Sequence, residues 1–342
     1  MESKENAFNK RYGLVTRKIV RMLSEDSRIS VTKIASTLGL SRRAVVRRLK
    51  KIEEEFSIRY TLDIDVAKLG LDAPHIVVAK FRKRPFRKEL EQILSESYIP
   101  QIVIGSHGLS NLVIYANAFT HGEYIAWDRE TRRNLAKFGV EWSQSEIAYT
   151  RLGFLPLQSK TIKMAAIPDE FKKFLVLLNE DSRIRLREIA KKRRIGYKRT
   201  VYIYKKLLEA GYIKRFTISM ALPKELSLLA MMSRYIPLQN YNKATAMSQR
   251  LLIGERETEL INRYIFSCGL MGSYDFFAMG VFDDFRSAHM QGVVAYKKLF
   301  KDFKTLELRY MELKEIVSGR LPIRSVDVKK DYVSLLQQRM ER

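Results

Sequence analysis

One stretch of this chain occurs twice. Leu23-Ser-Glu-Asp-Ser-Arg-Ile29 returns as Leu178-Asn-Glu-Asp-Ser-Arg-Ile184, and at a constant offset of 155 residues Lys18–Ile58 aligns with Lys173–Ile213 without a gap. Fourteen of the 41 pairs are identical, among them Ile34-Ala35 with Ile189-Ala190 and Lys50-Lys51 with Lys205-Lys206. Further on, Gly105 and Gly108 align with Gly269 and Gly272, and Asn111 with Asp275, at an offset of 164, so nine extra residues fall in connections. Self-similarity at so long a period reads as one two-part unit, duplicated and fused. Whatever one copy folds into, the other must match.

The first part of each unit reads as three short helices and a strand. Arg17–Ser24 places Ile19, Val20, Met22 and Leu23 on one helix face. Ser30 caps a second helix with Ile34, Ala35 and Leu38 at core spacing. Gly39-Leu40-Ser41 supplies a helix terminator and the next N-cap. A third helix, Arg42–Glu55, buries Val45, Leu49 and Ile52, and Ser57–Asp65 alternates as a strand. The second copy repeats this over Phe171–Asn179, Leu186–Lys192 and Tyr197–Ala210, with Gly211 as terminator and Tyr212–Met220 as strand.

Two helices joined by a short turn, the second basic at its start, form a helix-turn-helix signature. The major groove admits one helix, whose first turn reaches base edges while flanking Lys and Arg hold phosphates. The competing reading is a three-helix packing module with a solvated basic face, and charge decides between them. The chain has 63 Lys and Arg against 38 Asp and Glu, a net charge of +25. Residues 16–60 hold a surplus of +7 and residues 171–215 one of +11. So concentrated a surplus predicts double-stranded DNA as partner. The expected contacts are Ser41, Arg42, Arg43, Arg47, Lys50 and Lys51 in the first head. In the second they are Tyr197, Lys198, Arg199, Tyr202 and Lys205, with Lys191, Lys192, Arg193 and Arg194 as a phosphate clamp.

The second part of each unit reads βαββαβ. Copy one offers strands Ala73–Phe81, Gln101–Ile104, Asn111–Ala116 and Glu141–Thr150, with helices Arg87–Glu96 and Thr120–Lys137. Copy two offers Leu228–Ile236, Ile265–Cys268, Asp275–Val281 and Phe303–Leu313, with helices near Lys243–Leu252 and Asp284–Phe300. The expected fold class is therefore α+β, two winged helix-turn-helix domains alternating with two ferredoxin-like βαββαβ domains. The expected domains are 1–65 and 66–155 for copy one, a linker over 156–167, 168–220 and 221–315 for copy two, and a tail over 316–342. A helix is expected within that tail at Lys330–Met340.

Leu23-x-Glu-Asp-x-Arg-Ile, Ile34-Ala35, Gly39-Leu40-Ser41, Val45-x-x-Arg48-Leu49 and Ile52 resemble the helix-turn-helix of the Lrp/AsnC (feast/famine) transcription regulators. Gly269-Leu-Met-Gly272-Ser-Tyr-Asp275 is similar to that family's Gly-x-Tyr-Asp turn in its ligand-sensing domain. The resemblance spans about residues 14–155 and 168–315. It implies a transcription regulator with an effector site, often for an amino acid, at Gly269, Gly272, Tyr274 and Asp275; copy one has Asn111 where copy two has Asp275. Members usually carry one unit and dimerise through the βαββαβ domain, so this chain is expected to form that dimer internally, a further homodimer staying open. Phe56 replaces the family's glycine after the third helix, which changes the entry angle of the first wing. The third helices differ, Ser41-Arg-Arg-Ala-Val-Val-Arg against Gly196-Tyr-Lys-Arg-Thr-Val-Tyr, so a non-palindromic site is expected, its half-sites about 10 bp or a multiple apart.

Two other readings remain. An architectural protein coating DNA with little sequence preference shares the same electrostatic term. Siroheme decarboxylases resemble this arrangement too, but their His-Asn-Tyr turn is absent, His107-Gly-Leu and Met271-Gly-Ser standing in the comparable places. No catalytic motif, cofactor or metal site is expected: His75, His107, His121 and His289 are scattered, and one cysteine, Cys268, permits no intrachain disulfide. No apolar stretch approaches the ~20 residues of a bilayer span, and Met1-Glu-Ser-Lys-Glu-Asn lacks a signal-peptide core, so a cytoplasmic, nucleoid-associated protein is expected.

Overall fold

The computed structural model describes residues 7–95, 100–105, 111–152, 154–221, 227–237, 264–282, 286, 303–313 and 315–322. The first head comprises α1 (Ala7–Glu25), α2 (Val31–Leu38), α3 (Arg42–Glu55) and β1 (Arg59–Ile64). Side-chain chemistry sets these boundaries. Ser30 accepts the Lys33 amide and Ser41 that of Ala44, while Gly39 ends α2 at φ 64°. Val45, Leu49 and Ile52 are buried, and α1 reaches further back than the expected Arg17. Where the family has glycine, Phe56 stays at φ −101° and Ser57 takes the left-handed turn at φ 45°.

Next come β2 (Ala73–Phe81), α4 (Arg87–Ser95), β3 (Pro100–Gly105), β4 (Asn111–Ala118), α5 (His121–Leu135) and β5 (Val140–Leu152). The segment expected as a linker instead carries α6 (Ser159–Met164). Leu157 and Ile162 join the core of the second head there, since leaving them in water would forfeit their burial. That head comprises α7 (Asp169–Glu180), α8 (Leu186–Arg193), α9 (Tyr197–Glu209) and β6 (Ile213–Met220). The remaining strands are β7 (Ser227–Pro237), β8 (Tyr264–Gly272), β9 (Phe276–Phe282), β10 (Phe303–Leu313), β11 (Glu315–Ser318) and β12 (Leu321–Pro322). The last two lie where a tail was expected from residue 316. The helices expected at Lys243–Leu252, Asp284–Phe300 and Lys330–Met340 fall outside the described residues, apart from Arg286, which is helical.

Each wing is one strand, and the two wings pair with each other. β1 runs antiparallel to β6, with Thr61 opposite Thr217, and β12 extends the β6 edge. The larger sheet has the order β10-β7-β9-β8-β5-β2-β4-β3-β11. β5 is shared, pairing with β2 through His75–Phe81 and with β8 through its later residues. β10 and β11 are one residue apart in the chain yet stand at opposite ends of that order. A sheet whose two ends are joined by one residue must curl until it closes. Ile76, Val78, Val113 and Ile147 from the first half share one interior with Leu228, Met232, Phe277 and Met279 from the second. On the outer face of the first half, α4 and α5 cover Val77, Ala79 and Phe81 with Leu90 and Trp127.

Candidate nucleic-acid interface

With Val45, Leu49 and Ile52 inward, α3 turns Ser41, Arg42, Arg43, Arg47, Lys50 and Lys51 to solvent. Arg42, Val46 and Lys50 follow one another at i, i+4, i+8, so they share a stripe. Val46 is 53% exposed. Charge counting passed over it, but an exposed β-branched residue among arginines suits a thymine methyl. Lys50 and Lys51 approach Glu54 and Glu55 at 3.9 and 3.7 Å. Such exposed pairs are worth about 0–1 kcal/mol, so phosphate readily displaces them.

The outer face of α9 is chemically different. Tyr197 and Tyr202 are half exposed, with Lys198 and Lys205 in solvent beside them. Arg199 is exposed beside them and is tied to α7. Its Nε and Nη2 donate to the two carboxylate oxygens of Glu170 on α7, at 2.9 and 2.5 Å, and its guanidinium lies 5.1 Å from the Tyr202 ring centroid. These hydrogen bonds hold the Glu170 carboxyl below its usual range. Lys191, Lys192 and Arg193 form the last turn of α8, and Arg194 caps it at φ 51°, the alignment partner of Gly39. Lys192 and Arg193 line a cleft of about 360 Å³ with Lys163, Lys172, Lys173 and Asp169. Lys163 escaped notice because its helix was expected to be linker.

The heads meet through the very segment that repeats. The Ser27 and Ser182 hydroxyls are 2.6 Å apart. Arg28 donates from Nε to the Ser182 carbonyl, and Arg183 donates from Nε to the Ser27 carbonyl, each at 2.6 Å. Ser27 N–H donates to Phe216 O and Ser182 N–H to Tyr60 O, both at 3.0 Å. Arg28 then lies over the Phe216 ring and Arg183 over that of Tyr60. Thr217 and Thr61 donate their hydroxyls to the carbonyls of Ser24 and Asn179. These contacts come in matched pairs, as in an isologous two-fold interface, and Arg28 adds donations to Ile184 O and the Tyr204 hydroxyl that Arg183 does not repeat. The identical Ser-Arg pair of the repeated segment is therefore the part that faces its own copy.

The Gly269–Asp275 segment is seated on β5. Gly269 lies within β8, and Gly272 takes φ 126°, where a Cβ would stand 3.1 Å from Gln144 O and 3.3 Å from Ser145 Cα. Tyr274 is buried, its amide donating to Ser145 Oγ at 3.0 Å, and burial raises its phenol pKa. The Asp275 amide donates to Ser233 O at 2.9 Å, and its side chain is half-buried. Close approach to β5 thus accounts for Gly272.

An AsnC-type helix-turn-helix domain model matches residues 16–53. An uncharacterised HTH-type transcriptional regulator of Pyrococcus furiosus is 29% identical over 133 residues, covering 39% of this chain and 87% of that protein. A second, from Pyrococcus abyssi, is 30% identical over 101 residues, 29% of this chain and 68% of its own length. Among solved structures, the siroheme decarboxylase NirDL aligns with 94% of this chain and 98% of its own at a TM-score of 0.50 and 12% identity, a likeness of fold alone. Basic helix-turn-helix heads joined to ferredoxin-like sheets define a DNA-binding transcription regulator. The chain belongs to the Lrp/AsnC family.

Proposed function

We propose that this regulator arose by tandem duplication, carries its dimer within one chain, and reads an asymmetric DNA site with two unlike heads. The observation that supports this most is the reciprocal contact of Ser27-Arg28 with Ser182-Arg183, which fixes the heads in one two-fold relation. On that frame Arg42, Arg43 and Arg47 present guanidinium groups suited to guanine and phosphate. Tyr197, Lys198 and Tyr202 at the matching positions offer hydroxyls and one ammonium. A two-fold frame sets half-site spacing, and unlike faces remove the need for a palindrome. Ser41, Lys50, Lys51, Lys205 and the Lys191–Arg194 run serve as phosphate contacts. The working compartment is the cytoplasm, on the nucleoid; among the described residues no helix is long and apolar enough to cross a membrane.

Retention of fragmented genomic DNA at physiological salt tests this. Enrichment of a few loci supports a regulator. Even coverage whose affinity collapses as salt rises is the mark of an architectural coater. The fold likeness to NirDL gives a decarboxylase reading the opposite forecast: no DNA retained, and a visible absorbance band on adding siroheme. For effector modulation, amino acids are the first class to screen, by thermal shift, against Asp275→Ala as control.

A further inference from the structure

The four histidines are far apart in sequence, yet two of them converge. His75 lies on the outward face of β2, directly opposite Glu146 on β5. His121 occupies the first turn of α5, a start fixed by the Thr120–Glu123 capping box. The donor atoms of His75, His121 and Glu146 lie within 4.8 Å of one another, and His121 Nε2 is 3.8 Å from Glu146 Oε1.

We propose that His75, His121 and Glu146 form a binding site for one divalent transition-metal cation of the zinc type, unrelated to the DNA-reading faces. Two imidazoles and one carboxylate, with a fourth position left to water, are a donor set that zinc accepts and that magnesium and calcium, which take oxygen ligands, do not. His75 is prepared for this role. Its Nδ1 is 3.1 Å from the Ala73 carbonyl, which has no proton to give, so Nδ1 carries the hydrogen and Nε2 presents its lone pair. The Tyr124 ring stacks on the imidazole at a centroid distance of 3.5 Å, and the Tyr124 hydroxyl donates to Gln144 on β5. On the other side of His75, β4 places Ala116.

Tetrahedral coordination at ordinary zinc distances separates ligand atoms by about 3.4 Å. His75 is buried and braced, His121 is exposed and Glu146 partly exposed, so the contraction falls on the two side chains free to rotate. In the second half of the sheet the matching register sets Leu229 opposite Glu312 and Gly280. The apolar side chain there removes a ligand, so one cation site is expected among the described residues.

The test uses the full-length, untagged chain stripped with a chelator, titrated with zinc chloride by calorimetry and with cobalt chloride by visible absorption. One saturable equivalent with ligand-field bands of four-coordinate cobalt is expected. His121→Ala and Glu146→Gln, both accessible and chosen because His75→Ala would cost the fold its brace, are each expected to weaken binding about 10–100-fold or more. Thermal unfolding without metal checks that both variants remain folded. No saturable uptake, which leaves His121 and Glu146 as a surface ion pair, overturns the proposal. Uptake that survives both substitutions overturns it equally.

Discussion

Arg194 and Gly196 show how one alignment column can serve two ends. Arg194 takes φ 51° where the first head uses Gly39 at φ 64°. A non-glycine residue in that region costs about 1–2 kcal/mol. Arg194→Gly is therefore expected to raise stability by about 1 kcal/mol in urea unfolding while lowering DNA affinity and reducing the salt slope by about one phosphate. Loss of stability without loss of affinity would show that the residue is kept for the fold. Gly196 stands where Ser41 caps α3, with open space around the position of a Cβ. Gly196→Ser is expected to add a few tenths of a kcal/mol, read as a small rise in Tm. The Arg199–Glu170 pair sets a pH dependence. The folded-state pKa of Glu170 lies below its unfolded value, so its contribution is present above the unfolded pKa and fades as pH falls through the folded one. Glu170→Gln frees Arg199 and is expected to tighten DNA binding; weaker binding would mean that Arg199 acts from its paired position.

Among the elements, what could be read in advance was what is local. The Val45, Leu49, Ile52 spacing, the Ser30 and Ser41 caps and the βαββαβ alternation of the first copy rest on neighbours a few residues apart, and each stands where expected. Long-range pairing could not be read in this way. Nothing in Ser57–Asp65 says that its strand partner lies beyond residue 212, nor that β11 closes the sheet on β3. The linker hid α6 because six residues are too few for a periodic signal. The convergence of His75, His121 and Glu146 depends on strand register across three elements, which spacing does not encode. At this scale the reciprocal interface makes its own prediction. Arg28→Ala and Arg183→Ala each leave a carbonyl without its charged donor and are both expected to cost about 1–3 kcal/mol in chemical denaturation, Arg28→Ala the more because Arg28 also donates to Ile184 O and Tyr204. A cost confined to one of them would deny the two-fold relation.

In the whole molecule, heads and sheets obey the same two-fold relation. β1 meets β6, and each half of the large sheet completes the other through β5–β8 and β3–β11. A homodimer needs both faces of such an interface to come from one sequence, whereas a single chain lets them drift apart. The third helices differ in sequence, whereas Ser27-Arg28 and Ser182-Arg183 at the two-fold contact are identical. The most direct test is selection of bound sequences from a random DNA pool by the full-length chain at physiological salt. The account predicts one asymmetric motif, its two unlike half-sites about 10 bp or a multiple apart, with Arg42→Ala relaxing one half and Tyr197→Ala the other. A clean palindrome, or a single half-site indifferent to α9, would contradict it.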